Sequence, residues 1–252
     1  MTASTPPAPN LNHQMELIKW IALLAMAVDH IGLIFSDYVD YYACRAIGRL
    51  TWPLLAFVMA VRLTEKPDRT RNYLAWLLPW AVISQPVYWF TFYVQQPFHE
   101  AMLNVFFTLA FGVLLFWFME IGRRTKSKLT RILLGTATVM ILAIAQFPVG
   151  VDYGAMAVLM IPALALAIRT YGVARAALLT GLLGAMTVTV AMNTTGRPLM
   201  TAIVILGPMA AGLVAWLCLR TSVHLPRLPR WFFYFYYPAH MIALIAIAFL
   251  LT

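Results

Sequence analysis

Apolar residues in this chain come in long blocks, separated by short polar or charged segments. A membrane-crossing helix needs about 20 mostly apolar residues. Nine blocks approach or reach that length: 17–36, 44–64, 72–94, 102–121, 130–147, 154–170, 173–192, 199–219 and 232–251. The pattern predicts helices throughout. Five blocks carry proline inside them, at Pro53, Pro79, Pro86, Pro162, Pro208 and Pro238. Neighbouring helices in a bundle satisfy the carbonyls that such prolines free. The fold class expected is all-α: a polytopic membrane bundle of about nine transmembrane helices, occupying 17–252 as one domain. Residues 1–16 are polar and Pro-rich and read as a disordered cytoplasmic tail. Ala25-Met26-Ala27 resembles a signal-peptidase site, but the apolar run continues past it, so an uncleaved helix is expected.

The charges in the loops set the register. Basic residues cluster at Arg62–Arg71, Arg123–Arg131, Arg169–Arg175 and Arg220–Arg230, with Lys19 in the first block. Together these hold fifteen of the eighteen Lys and Arg, all on one side if the nine blocks cross in turn. The other side has Arg197 alone, with Asp37, Asp40, Glu100 and Asp152. Positive charge stays on the cytoplasmic side, so the N-terminus is expected there and the C-terminus outside.

Composition agrees. Of the residues, 62% are hydrophobic and 11% charged, against about 25% charged in soluble domains. Mean hydropathy is +0.80. The net charge of +9 follows from the short cytoplasmic loops and predicts no nucleic-acid partner. The two cysteines, Cys44 and Cys218, fall at opposite faces and in no metal-ligand spacing, so neither a disulfide nor a metal site is expected.

Ionisable residues inside spans are costly, and this makes them informative. Asp29 and His30 lie near the outer end of the first span. Arg45 and Arg49 lie one helical turn apart in the second. Asn104 and Thr108 open the fourth, and Asp152 and Tyr153 precede the sixth. The ninth starts with an aromatic run, 231–237, and carries His240 about nine residues in, roughly 13 Å deep. A shared polar cavity under the outer surface accounts for these positions. In it Arg45 or Arg49 neutralises Asp29, and His30 stays available for proton transfer. A structural account competes: Arg45 snorkelling to the interface, an Asp29–Arg49 pair joining two helices, an interfacial aromatic belt at 231–237. His13, His99 and His224 lie in the tail or in loops and suggest no chemistry.

Four blocks carry a resemblance. Leu17-Ile18-Lys19-Trp20-Ile21-Ala22 leading to Asp29-His30-Ile31-Gly32 is similar to the opening of the TraX family. So are Ile47-Gly48-Arg49-Leu50-Thr51-Trp52-Pro53, Asn104-Val105-Phe106-Phe107-Thr108-Leu109 and the closing Tyr234-Phe235-Tyr236-Tyr237-Pro238-Ala239-His240. They span nearly the whole chain in family order. The family includes a conjugative pilin N-acetyltransferase and TrbP-like relatives. The first-span pattern is also distantly similar to transmembrane acyltransferases such as the lysosomal heparan glucosamine acetyltransferase.

The resemblance implies a multi-pass enzyme of the bacterial inner membrane that moves an acetyl group from acetyl-CoA to the N-terminal amine of a pilin subunit. The partners implied are the pilin, acetyl-CoA and the lipid bilayer. Amide formation needs an unprotonated amine, hence a base, and His30 is the first candidate. Asp29 would orient it or hold the arginines, and His240 is the second candidate base. Arg45, Arg49, Asn104 and Tyr237 are expected to bind substrate or to donate to the thioester oxygen. A proton-coupled transporter and a non-enzymatic component of the conjugation machinery are the alternatives.

Overall fold

Within lipid every backbone polar group must find its partner inside the protein, and a helix does this within one segment. The computed structural model of the protein describes residues 11–95, 102–146, 150–191, 197–223 and 225–251. Among them the chain forms α1 (Leu11–Ile34), α2 (Tyr41–Gly48), α3 (Thr51–Glu65), a short 3-10 turn at Pro67–Arg69, α4 (Thr70–Gln95), α5 (Val105–Arg124), α6 (Lys128–Gln146), α7 (Gly154–Tyr171), α8 (Val173–Ala191), α9 (Pro198–Cys218) and α10 (Arg230–Leu251). The only extended pairing among the described residues is a parallel bridge between Leu103 and Val151.

Each expected span corresponds to a helix or, in one case, to two. Seven spans are long and apolar enough to cross a membrane: α1, α2 with α3, α5, α6, α7, α9 and α10. The other two expected spans are α4 and α8. Helix α4 has 26 residues, which at 1.5 Å per residue gives about 39 Å. It buries the polar Ser84, Gln85 and Thr91. Helix α8 has a shorter apolar run, Val173–Thr189. The chain is a multi-pass membrane protein.

Two sequence expectations need correction. The second span is not one helix. Pro53 has no N–H to give the carbonyl of Arg49, and the chain turns there. Leu50 N donates to Ile47 O at 3.1 Å, and regular bonding resumes with Leu54 N to Leu50 O at 3.2 Å. The supposed tail is the other correction, for the first helix starts at Leu11. Met15 is fully buried, Gln14 Nε2 donates to Leu219 O, and Glu16 accepts from Leu228 N at 3.3 Å. Those contacts give 11–16 a reason to be helical that its composition does not show.

Helix α3 is the axis of the bundle. All its residues from Thr51 to Val61 are buried, and it packs against α1, α5, α7, α8 and α9. At the other extreme, α6 touches α5 and α7 and buries only Ala145, as a lipid-facing helix should. Between α8 and α9 the backbones meet. A Cβ on Gly212 would stand 2.8 Å from Gly181 N, and one on Gly181 would stand 2.6 Å from Met209 O. Small residues serve this purpose where no hydrophobic force drives helices together. The basic ends collect at one face: Arg124 faces Asp68 at 3.9 Å, Arg169 pairs with Glu120, and Lys19, Arg62 and Arg230 surround one cavity.

Gly212→Leu is expected to lower the unfolding midpoint in detergent, by at least the roughly 1–3 kcal/mol of ordinary overpacking. Gly135→Ala on the open face of α6, where nothing lies within 4 Å, should leave it unchanged or raise it. Thermal unfolding of the two purified variants checks both.

Candidate functional site

A buried carboxylate is costly without paired charge, and the neighbours of Asp29 supply it. Arg45 Nη1 donates to its Oδ2 at 2.7 Å, and Arg49 Nη2 to its Oδ1 at 3.4 Å. The i,i+4 spacing puts both guanidinium groups on the face of α2 that meets α1, Arg49 at its C-cap. Contact this close requires Gly48, where a Cβ would lie 1.9 Å from Asp29 Oδ1 and 2.3 Å from its Cγ. Arg49 also lies over the ring of Tyr153, at 5.9 Å, and that ring stacks on Trp52 at 5.8 Å.

Tyr153 is the one non-glycine residue at positive φ (64°) among those described. Its loop is tied down: Leu103 N donates to Gly150 O, Asp152 N to Leu103 O, and Thr108 Oγ1 to Asp152 O at 2.9 Å. Desolvation pushes the Asp152 carboxyl up to about 6, against the pull of Arg49. Two donors in this region, Arg45 Nε and Trp52 Nε1, are buried without a hydrogen-bond partner.

The residue after Asp29 turns to another helix. His30 Nδ1 and His240 Nε2 are 2.7 Å apart, and the rings stack with centroids 4.9 Å apart. His240 Nδ1 lies 2.7 Å from the carbonyl of Tyr236, one turn back on α10. A carbonyl only accepts, so His240 Nδ1 carries a proton. In the neutral pair His240 Nε2 is then an acceptor, and His30 Nδ1 must be the donor. That leaves the lone pair on His30 Nε2, which has no hydrogen bond among the described residues. The tautomers follow from the one atom whose role is fixed.

Aromatic rings enclose the pair. Tyr236 stacks on His240 at 4.7 Å, and its hydroxyl donates to Leu23 O at 3.1 Å. The Tyr237 ring lies 6.3 Å from His30 and 6.1 Å from His240, and its hydroxyl has no hydrogen-bond partner among the described residues. Phe106 packs on Tyr237, centroids 5.0 Å apart.

Asn104 belongs elsewhere. Its Nδ2 donates to Ala81 O, Ser84 Oγ and Gln85 Oε1. Its Oδ1 accepts from Phe106 N at 3.0 Å, capping α5. It is fully buried and has no donor to spare. The expectation that it binds substrate is replaced by a structural one: it fastens the start of α5 to α4.

Toward the basic face opens a cavity of about 430 Å³. Lys19, Arg62, Lys66, Arg69, Arg227 and Arg230 line it, against the carboxylates of Glu16 and Glu65. Glu16 pairs with Lys19 at 2.7 Å and holds the 227–230 segment through Leu228 N. Trp20 Nε1 donates to Pro226 O at 3.1 Å. Its lining also includes Leu109, Phe233 and Tyr234.

The structure thus brings Asp29, Arg45 and Arg49 into one cluster and His30, His240 and Tyr237 into another beside it. His99, Glu100 and His224 lie outside the described residues. Sequence reasoning missed the Tyr236 carbonyl and Phe106 as members of the site. The i,i+4 spacing of Tyr236 and His240 was the available signal for the first. Among the described residues no three His, Cys, Asp or Glu side chains gather as a metal site needs.

Asp29→Ala leaves two guanidinium groups with no carboxylate between them, and breaking a buried pair in this way costs about 3–5 kcal/mol. The expected outcome is sharply reduced accumulation in membranes and a lower unfolding midpoint, read by immunoblot and thermal unfolding. Asp37→Ala on the exposed outer loop should change neither.

The sequence pattern of the TraX family, described as TraX protein, matches residues 14–248. The chain is 28% identical over 158 residues to "Protein TraX" of Escherichia coli, covering 63% of this chain and 56% of that one. It is 35% identical over 113 residues to the "Probable fimbrial assembly protein FimC, serogroup H1" of Dichelobacter nodosus, covering 42% and 46%. A 60-residue stretch is 35% identical to an uncharacterized protein of Rickettsia prowazekii, covering 24% and 23%. The chain spans about half the length of the first two of these relatives. No solved structure matches. The family pattern runs through both ion-bearing helices, the histidine pair and the capping Asn104, and the chain belongs to the TraX family.

Proposed function

We propose that this protein is a membrane acyltransferase that moves the acetyl group of acetyl-CoA to the N-terminal amine of a pilin subunit held in the bilayer. The observation that carries the proposal is the bare Nε2 of His30, whose lone pair is set by the chain Tyr236 carbonyl, His240, His30. The relatives, a TraX protein and a probable fimbrial assembly protein, support a pilus subunit as acceptor.

An α-amine has a pKa of about 8 and attacks only when neutral. Its nitrogen adds to the thioester carbonyl, forming the C–N bond and a tetrahedral oxyanion. His30 Nε2 takes the proton that the nitrogen sheds, and His240 Nε2 supports the imidazolium through its hydrogen bond to His30 Nδ1. The C–S bond then breaks. His30 returns the proton to the departing thiolate, so the products are the amide and free CoA. Tyr237 Oη would serve as a donor to the oxyanion. Asp29, Arg45 and Arg49 together bear one net positive charge beside it, favouring negative charge as it develops. The six cations of the inner cavity suit the phosphates of CoA. CoA would be a co-substrate.

The transporter reading has less support. Beyond the Tyr236 carbonyl the histidine chain has no further proton carrier among the described residues.

His30→Ala should lower acetyl transfer by about 10²–10⁴, the usual contribution of a positioned base, while the protein still inserts. Tyr237→Phe should lower it by about 10²–10³, as loss of one oxyanion donor does. The assay is intact mass of the cognate pilin from cells with and without the gene, and with each variant. One added acetyl group that depends on the gene is the expected result. A pilin of unchanged mass removes the pilin as acceptor, and failure of the purified protein to bind acetyl-CoA removes the enzyme.

A further inference from the structure

The proposed reaction leaves one proton without a carrier. An α-amine with a pKa of about 8 arrives at neutral pH mostly as the ammonium ion. Two protons must leave that nitrogen, one before it can attack and one as the amide forms. His30 Nε2 has a single lone pair, and it hands its proton on to the thiolate. The first proton needs another acceptor, an anion near the outer surface that is not already paired. Asp29 is held by both arginines. Asp40 caps α2, accepting from Ala43 N at 3.0 Å, and Asp37 is exposed on the loop before it. Asp152 remains.

Asp152 is half-buried. Among the described residues its carboxyl bonds to the backbone N–H of Tyr153, and no side chain bonds to it. The backbone around it is fixed: Asp152 N donates to Leu103 O at 2.9 Å, and Asp152 O accepts from Thr108 Oγ1 at 2.9 Å. Tyr153 follows at φ 64°, a conformation that is costly for a bulky residue and that clusters at functional sites. Arg49 acts on the carboxyl and offsets its desolvation, so with a pKa of about 6 it is mostly ionised at neutral pH. Asp29, Arg45 and Arg49 carry one net positive charge, and an ionised Asp152 brings the set to neutrality. Tyr88 and Tyr237 also lie within electrostatic reach of Asp152, and the Tyr237 ring is 6.3 Å from that of His30. The carboxyl therefore stands at the edge of the candidate site, with part of its surface open.

Resting on the acyl-transfer reading, we propose that Asp152 receives the acceptor: its carboxylate pairs with the incoming primary ammonium ion and takes the first proton from it. One N–H bond breaks, its electron pair stays on nitrogen as the lone pair that attacks, and the proton bonds to a carboxylate oxygen. The neutral amine passes on to the thioester and to His30, which takes the second proton. Asp152 then releases its proton to water at the outer face, which its partial exposure allows, and is ionised again for the next acceptor. A carboxylate that only balanced Arg49 would give no advantage to a charged acceptor over a neutral one.

The test uses the full-length protein in proteoliposomes with acetyl-CoA and two synthetic peptides of the pilin N-terminal segment. One has the ordinary α-amine, and the other has an aminooxy group in its place, a nucleophile that is already uncharged at neutral pH. kcat/KM is read for both. Asp152→Asn should lower the amine-to-aminooxy ratio by about 10–100-fold, the worth of one hydrogen bond to a charged group. Asp152→Glu, which keeps the charge, should retain part of the wild-type ratio. Both acceptors meet the same preparation, so any loss of folded protein cancels. Asp37→Asn removes an exposed outer carboxylate and should leave the ratio unchanged. A ratio unchanged in Asp152→Asn, or lowered as much by Asp37→Asn, overturns the proposal. A wild type that acetylates neither peptide overturns the acyltransferase reading itself, a separate result from a failure of ammonium recognition.

Discussion

A carboxylate and two guanidinium groups in a lipid-surrounded bundle have to be kept together, and much of this structure follows from that. Asp29 sits on α1 and is 8% exposed. Arg45 and Arg49 reach it only if α2 lies against α1, and α2 lies close enough only because position 48 has no side chain. The same requirement carries outward. Arg49 is covered by Tyr153, whose positive φ is held by a loop pinned to Leu103 and Thr108. Gly207 on α9 closes from the other side, where a Cβ would stand 2.7 Å from Arg49 Cβ. Four separate stretches of chain therefore converge on one ion cluster, and the histidine next to Asp29 is fixed as a consequence.

Much of the architecture could be read from the chain because lipid imposes simple rules. Apolar length marked the helices, and the distribution of Lys and Arg marked the faces. The break at Arg49–Leu50 was less visible. Pro53 announced it, yet a proline in a membrane helix is often absorbed, and only the observed Leu50 N to Ile47 O bond shows that here it ends one helix and begins another. The first turn of α1 was missed for a different reason. Leu11–Glu16 is polar by composition, and its order comes from partners about two hundred residues away, Leu219 and Leu228.

The candidate site was legible in its residues and not in its wiring. Asp29, His30, Arg45, Arg49, Tyr237 and His240 stood out because charge and imidazole are rare in spans. That His30 faces His240, while Asp29 beside it faces the arginines, is a matter of helix rotation, and adjacent positions point about 100° apart. Asn104 shows the converse. A buried amide at a helix start reads equally well as a ligand-binding group or a cap, and only its full set of partners decides for the cap.

The imidazole chain ends on a backbone carbonyl, and this bears on the electrical character of the reaction. A carboxylate in place of the Tyr236 carbonyl would hold a proton between turnovers. A carbonyl has no charge with which to do so, and the pair returns to neutrality each time. On the acyl-transfer reading, an acyl group then moves outward, formally as a cation, while one proton moves inward with the departing thiol. The two displacements cancel. On that reading the membrane potential does no net work on the exchange.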